Sequence, residues 1–270
     1  MKLRLVESVI KNKEIISMLL QREIEAKYKG SWLGITWSLI NPIIMLCIYT
    51  FVFHTIFKSR WIDNGGQSSE DPIYFALNIF IGLIIFNIFA ETVTRSPFLI
   101  INNPNYIKKV VFPIEALSIA ATGSALFQAL TAVTTLIALK YVILGHITST
   151  IIFLPLLWLG FIGNVVALSW LISTIGVFIR DTGQIISSGI TMMMFLTPIF
   201  YPSNSLPGAV RWMATLNPLA YVIEGSRMMI LNNSVPNLII MTMYIVGSLL
   251  MCELAFRVLR KNQRKFGDYV

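Results

Sequence analysis

The chain has 270 residues, of which 56% are hydrophobic and 13% charged, about half the charged share of a soluble domain. That balance excludes a free-standing soluble enzyme and describes an integral membrane protein. The formal charge of +8 is spread over loops that would face anionic lipid headgroups, so no nucleic-acid partner is expected.

In chain order, residues 1–30 read as an amphipathic helix. Val6, Val9, Ile10, Ile16, Leu19, Leu20 and Ile24 recur three and four apart, while Lys11, Lys13, Glu14, Arg22, Glu25 and Lys29 point elsewhere. Such a helix can lie in the cytoplasmic interface, with Gly30 as the cap where the chain turns into the bilayer. From Gly30 to Phe57 there are 28 positions without Lys, Arg, Asp or Glu, more than the roughly 20 that cross hydrocarbon as a helix. Some thirty mixed residues before that run do not fit a cleaved signal peptide.

Further charge-free runs at 72–90, 116–139, 151–179, 185–200 and 235–252 bring the predicted spans to six. The fifth is short and carries Pro198 near its end, which stops or kinks a helix. Residues 201–236 hold four prolines yet remain rich in Ala, Leu, Met and Ile, a pattern for two short helices that dip into the membrane and return. Sixteen of the 21 Lys and Arg lie in the first thirty residues, between spans two and three, between spans four and five, or after Cys252. The positive-inside rule therefore places both termini in the cytoplasm.

The expected fold is an all-α membrane protein. It comprises six transmembrane helices, an N-terminal amphipathic interfacial helix, and re-entrant outer helices between spans five and six. A single domain covers 1–270, with 1–30 as the interface helix, 31–257 carrying the spans and 258–270 as a cytoplasmic tail.

Chemistry is sparse. No G-x-x-x-x-G-K-[ST] loop is present, so any ATP is handled by another polypeptide. Glu91, Glu115 and Glu253 fall at span edges, leaving Glu224 as the one carboxylate open to ion coupling. His54 and His146 lack metal-ligand spacing, no serine has a G-x-S-x-G context, and Cys47 and Cys252 read as small hydrophobes, so neither a metal site nor a catalytic residue is expected. Aromatic and uncharged polar groups are plentiful instead. Trp37, Asn41 and Ile44 follow at helical spacing, which puts an indole and an amide on one face. Such a surface reads as an interfacial aromatic belt or as a corridor where rings stack on sugars and amides meet hydroxyls.

Four stretches, "REIEAKYKGSWLGITWSLINPIIMLCIYTFVF", "NPNYIKKVVFPIEAL", "FIRDTGQIISSGITMMMFLTPIFYP" and "LNPLAYVIEGSRMMIL", run in order from about residue 20 to 231. In them the chain resembles the membrane subunit of ABC-2 type polysaccharide exporters, which move O-antigen, capsule and teichoic acid polymers. The resemblance implies a homodimer in the bacterial inner membrane, bound to two copies of an ABC ATPase that holds ATP and Mg, with a lipid-linked polysaccharide as substrate and O-antigen as the first choice. A two-fold pair also makes sense physically, since six helices packed on themselves leave little room for a glycan.

By the same resemblance the first and fifth spans line the passage, through Trp37, Asn41 and Tyr49 with Phe195 and Tyr201. The outer gate would comprise Ser205, Pro207, Arg211, Trp212, Asn217, Pro218, Glu224 and Arg227. Contact with the ATPase would fall to Arg22, Glu25 and Lys27 of the first helix and to Pro97, Phe98, Asn103, Pro104 and Tyr106. At the junction of spans four and five, Arg180, Asp181 and Gln184 read either as a tie between the spans or as a basic anchor followed by an Asp helix cap. The competing readings are a drug or lipid exporter of the same architecture and an ion-coupled carrier that depends on Glu224.

Overall fold

A computed structural model describes residues 4–52, 61–62, 68–69, 72–108, 112–203, 208, 212, 216–267 and 269. The described chain is helical throughout, save for a two-residue ladder that pairs β1 (Trp61–Ile62) with β2 (Ser68–Ser69) in antiparallel register. Four helical stretches are long and apolar enough to cross a membrane: Ile73–Phe98, Glu115–Leu144, Ser149–Phe178 and Leu238–Phe266.

The chain begins with α1 (Arg4–Lys11) and α2 (Lys13–Tyr28). Gly30, at φ +84°, follows the end of α2 and takes the left-handed conformation that a side chain would resist. A 3-10 turn (Gly34–Thr36) leads into α3 (Trp37–Thr50). The next elements are α4 (Pro72–Arg95), α5 (Pro104–Lys108), α6 (Glu115–Leu144) and α7 (Leu154–Phe178). They are followed by α8 (Thr182–Leu196), α9 (Pro218–Ile230) and α10 (Leu238–Phe266).

α4 is the axis of the bundle: 78% of its apolar window is buried, against 28% for each of α6 and α10. Its Phe75, Leu77, Ile79, Ile81, Ile85 and Ile88 belong to the larger core, which also takes Leu136 from α6, Leu157 and Phe161 from α7, and Val222 and Ile223 from α9. A second core, around Leu19, Ile100, Ile114, Trp170, Phe256 and Phe266, ties α2 to α6, α7 and α10.

α7 and α10 pack closely because α7 presents glycines. A Cβ on Gly163 would lie 2.7 Å from Ser248 Oγ, and one on Gly160 would lie 2.9 Å from the Tyr244 ring. Cys252 Sγ donates to the Gly163 carbonyl at 2.9 Å. Small residues that let two helices approach are the usual means of association where lipid removes the hydrophobic drive.

Three boundaries differ from the charge-free runs. α6 continues to Leu144 and so includes Lys140, which the charge count assigns to an outer loop; Lys140 is buried because its ammonium finds a backbone partner. α10 runs on to Phe266 instead of ending near Cys252, since Ala255, Phe256, Leu259 and Phe266 continue one buried face beneath the charged residues. α8 stops at Leu196, with Thr197 extended at ψ 138°, the conformation that the following Pro198 imposes. At 14 and 15 residues, α3 and α8 are about 21 and 22 Å long.

Candidate transport pathway and coupling surface

α3 is loosely covered. Trp37, Leu39, Ile43, Ile44, Met45 and Ile48 are exposed on it. Its inner side borders a cavity of about 400 Å³ between α3, α4 and α6, to which Trp37, Asn41 and Tyr49 all contribute. Asn87 of α4 and Gln128 of α6 complete the polar part of the wall, and Tyr28 and Glu91 close one end. Three of the five expected passage residues therefore converge.

The other two lie elsewhere. Phe195 is 67% exposed on α8, where Ile185, Met192 and Leu196 are exposed as well. Tyr201 folds back so that its hydroxyl donates to the Phe195 carbonyl at 2.9 Å, capping one of the carbonyls that the end of α8 leaves unpaired. Neither borders the α3 cavity.

The chain after α8 is fastened by Arg227, which is 3% exposed. Its Nε donates to the Asn78 carbonyl at 3.0 Å, Nη1 to the Pro198 carbonyl at 2.8 Å and Nη2 to the Ile199 carbonyl at 2.8 Å. Nη1 also reaches Glu224 Oε1 at 3.2 Å. One guanidinium thus satisfies backbone from α4 and from the break after α8, and Glu224 balances its charge. The expected gate residue Arg227 is accordingly a buried brace, and Glu224 is its ion partner. Asn217 caps α9 by accepting from Leu219 N at 3.0 Å and donates to Thr197 Oγ1 at 3.0 Å. Pro218 opens α9 and is exposed, as is Trp212. Ser205, Pro207 and Arg211 lie outside the described residues, as does His54.

The far end of α9 is capped by residues that the sequence does not single out. Lys140 Nζ donates to the Ile230 carbonyl at 2.5 Å, Thr148 Oγ1 lies 2.9 and 3.0 Å from the Met229 and Ile230 carbonyls, and Thr150 Oγ1 donates to Met229 at 2.7 Å. A cation at a helix C-terminus also complements its dipole. α9, at 13 residues, is about 20 Å long and too short to span a membrane.

On the opposite side of the molecule, two sequence-distant stretches meet. Lys27 pairs with Glu91, Arg95 pairs with Glu23, and Arg95 reaches back to Glu91 at 3.7 Å. Arg22 donates to Tyr106 Oη at 2.7 Å, and Tyr106 stacks on Phe112 with centroids 4.2 Å apart. Glu25 accepts from Gln21 at 2.8 Å and remains exposed.

The link after α4 is clamped to α7. Ser96 Oγ bonds Ser169 Oγ at 2.7 Å, and Ser173 Oγ donates to the Ser96 carbonyl at 2.8 Å. Pro97 is buried against Gly176, while Phe98 covers Gly183 and is still 44% exposed. Asn103 donates to the Leu99 carbonyl at 2.9 Å, and Pro104 opens α5. A cleft of about 390 Å³ opens here, walled by Glu23, Arg95, Phe98 and Asn103. Of the expected coupling residues, Arg22 thus meets Tyr106 and Lys27 meets Glu91 at the end of α4, whereas Glu25 stays apart and Pro97 is buried against α7.

Arg180, Asp181 and Gln184 do not form the tie expected of them. All three are exposed, and Asp181 holds the N-cap position of α8 without a side-chain cap bond. The junction is held by Phe98 on Gly183 and by Thr182 Oγ1 donating to Ile179 O at 2.7 Å, with Arg180 exposed as a basic anchor is expected to be. Among the described residues no cluster of His, Cys, Asp and Glu could hold a metal ion.

Comparisons with known proteins identify the family. Residues 14–231 match the family model of ABC-2 type transporters. Two Klebsiella pneumoniae proteins called O-antigen export system permease protein RfbA are 28% and 26% identical, over 88% and 94% of this chain and the same shares of their own. A Myxococcus xanthus protein of the same description is 24% identical over 87% of each chain. With the family matched across most of its length and four helices fit to cross a bilayer, the chain belongs to the ABC-2 type transporters as a multi-pass membrane subunit.

Proposed function

We propose that two copies of this chain form the membrane half of an ATP-driven exporter that moves lipid-linked O-antigen polysaccharide from cytoplasm to periplasm across the bacterial inner membrane. Two copies of a separate ABC ATPase bind the cytoplasmic side and hold ATP and Mg; this chain does no hydrolysis. The observation that carries the reading is the likeness, over nearly the whole length, to permeases described as O-antigen exporters.

In this reading α3 and α8 are spans one and five, which completes six crossings with the four long helices, and α9 is re-entrant at the outer face. The exposure of α3 and α8 supports it, because helices left uncovered in one protomer are available to a partner and to the passage between them. Trp37, Asn41, Tyr49 and Phe195 offer rings and amides without charge, which would let a polymer slide. The α2 and α4–α5 surface meets the ATPase, and closure of the ATPase pair moves α4 through the Lys27, Glu91, Arg95 and Glu23 chain. The basic residues on that side support a cytoplasmic position for both termini.

The test uses a strain lacking its own O-antigen permease. Expressing the chain with its partner ATPase is expected to restore the surface O-antigen ladder, and expressing it alone is not. A ladder that persists without any ATPase, or that is abolished by Glu224→Gln while the protein remains folded, would mark an ion-coupled carrier instead.

A further inference from the structure

The cavity between α3, α4 and α6 has a chemistry that the passage alone does not explain. Asn41, Asn87 and Gln128 come from three different helices and converge on it, and none has a side-chain hydrogen-bond partner among the described residues. At its end the Tyr28 hydroxyl is buried without a partner. Ser38, Tyr49 and Glu91 add polar groups, and Phe80, Leu83, Ile84, Ala125 and Ala129 make an apolar floor. Asn41 and Asn87 are exposed to this space and Gln128 is half-buried, so three carboxamides with donors and acceptors to offer face one space and match an occupant that carries both.

Charge narrows the occupant further. The only charged side chain on the wall is Glu91, and it is engaged by Lys27 and Arg95. Arg95 is in turn shared with Glu23. A phosphate would meet a carboxylate and no uncommitted cation. A sugar would meet amides for its hydroxyls and Trp37 for its apolar face. The volume of about 400 Å³ falls within the range of about 300–1,000 Å³ for small-molecule sites, enough for a short piece of glycan and not for a polymer.

We propose that this cavity is a sugar-binding site inside each protomer, which takes a neutral, hydroxyl-bearing unit of the glycan through Asn41, Asn87 and Gln128 and rejects its diphosphate. The inference rests on reading the chain as a glycan exporter and adds the subsite and its selectivity. Asn87 and Gln128 are the specificity-determining residues, since they belong to helices outside the α3 and α8 pair.

The test places the full permease and ATPase complex in lipid nanodiscs and follows octyl maltoside by saturation-transfer NMR, with octyl phosphate as the charged competitor. Saturation of the sugar protons is expected in the wild type, octyl phosphate is expected not to displace it, and Asn87→Leu with Gln128→Leu is expected to weaken binding about tenfold, the loss expected of roughly two hydrogen bonds. Leucine resembles asparagine in shape and suits an apolar wall, so the thermal midpoint should hold. If it does not, Gln128→Met carries the same test with a length-matched side chain. Unchanged sugar signal in the folded variants, or displacement by octyl phosphate at equal concentration, would overturn the proposal. Export of lipid-linked glycan by the wild-type complex, measured in parallel, separates the two readings: with export intact and binding unchanged only the subsite falls, and with no export the exporter reading falls.

Discussion

α4 and α3 are neighbouring apolar helices with opposite surroundings. α4 is enclosed on nearly every side, and its Ile79 and Ile85 have no exposed surface. α3 shows six large hydrophobic side chains to the outside. α8 resembles α3, whereas α7 is intermediate in burial and is closely joined to α10, whose outer face is exposed. Composition does not separate these groups, because all are rich in Ile, Leu, Met and Phe. Closeness of approach separates α4 and α7 from the body of α8: a Cβ on Gly82 of α4 or on Gly160, Gly163 or Gly176 of α7 would meet a neighbour within 3.1 Å, whereas on α8 only Gly183, at its start, is covered, by Phe98, and a Cβ on Gly189 would meet nothing within 4 Å. α4 is closed in by its own chain, while α3 and α8 stay largely uncovered.

The comparison breaks most severely at the brace that fastens the chain after α8 to α4. Arg227→Met strands the carbonyls of Asn78, Pro198 and Ile199 and leaves Glu224 without its cation, and is expected to cost about 3–5 kcal/mol. The check is thermal unfolding in nanodiscs. Next comes Gly176→Leu, which drives a side chain into the Pro97 backbone; overpacking of this kind costs about 1–3 kcal/mol and should lower the unfolding midpoint and ATPase-dependent export together. Lys140→Met uncaps α9, also for about 1–3 kcal/mol, a loss that differential scanning of the purified protein would register.

Smaller effects sharpen the contrast. Trp37→Ala with Tyr49→Ala should slow glycan export up to about tenfold, given about 0.5–1.5 kcal/mol for each aromatic contact, while the unfolding midpoint moves less than for Gly176→Leu. Wild-type export in that pair would remove the aromatic corridor. Gly189→Ala, in open space on α8, should raise helix stability by up to about 1 kcal/mol and leave export unchanged. A loss there would mean that α8 packs against a partner as tightly as α7 packs against α10.

The order of the apolar segments was legible because hydrocarbon imposes a minimum length on charge-free runs. Pro198 marked the end of α8, and Gly30 the turn after α2, since each restricts its own backbone. The buried cations were not legible. Arg227 and Lys140 look like loop charges in the sequence, and only the folded chain brings carbonyls from α4, the break after α8 and the end of α9 to meet them. Asn87 and Gln128 left no local signal either, because one amide in an apolar helix has no periodicity to betray its direction. The residues expected to meet an ATPase came from likeness to a family, and the ion pairs that join the first helix to Arg95 and Glu91 emerged only from packing.

α9 is fastened at its start by Asn217, which donates to Thr197 Oγ1, and along its last turn, where Arg227 reaches the Asn78, Pro198 and Ile199 carbonyls while Lys140, Thr148 and Thr150 meet the terminal carbonyls. A segment riveted at two points cannot swing like a flap; it rocks as a block with the ends of α6 and α7 that hold it. In the proposed exporter the outer mouth would then widen in one concerted step, driven from the cytoplasmic end of the same helices, and a polymer pausing within would meet either a shut or an open orifice with little between.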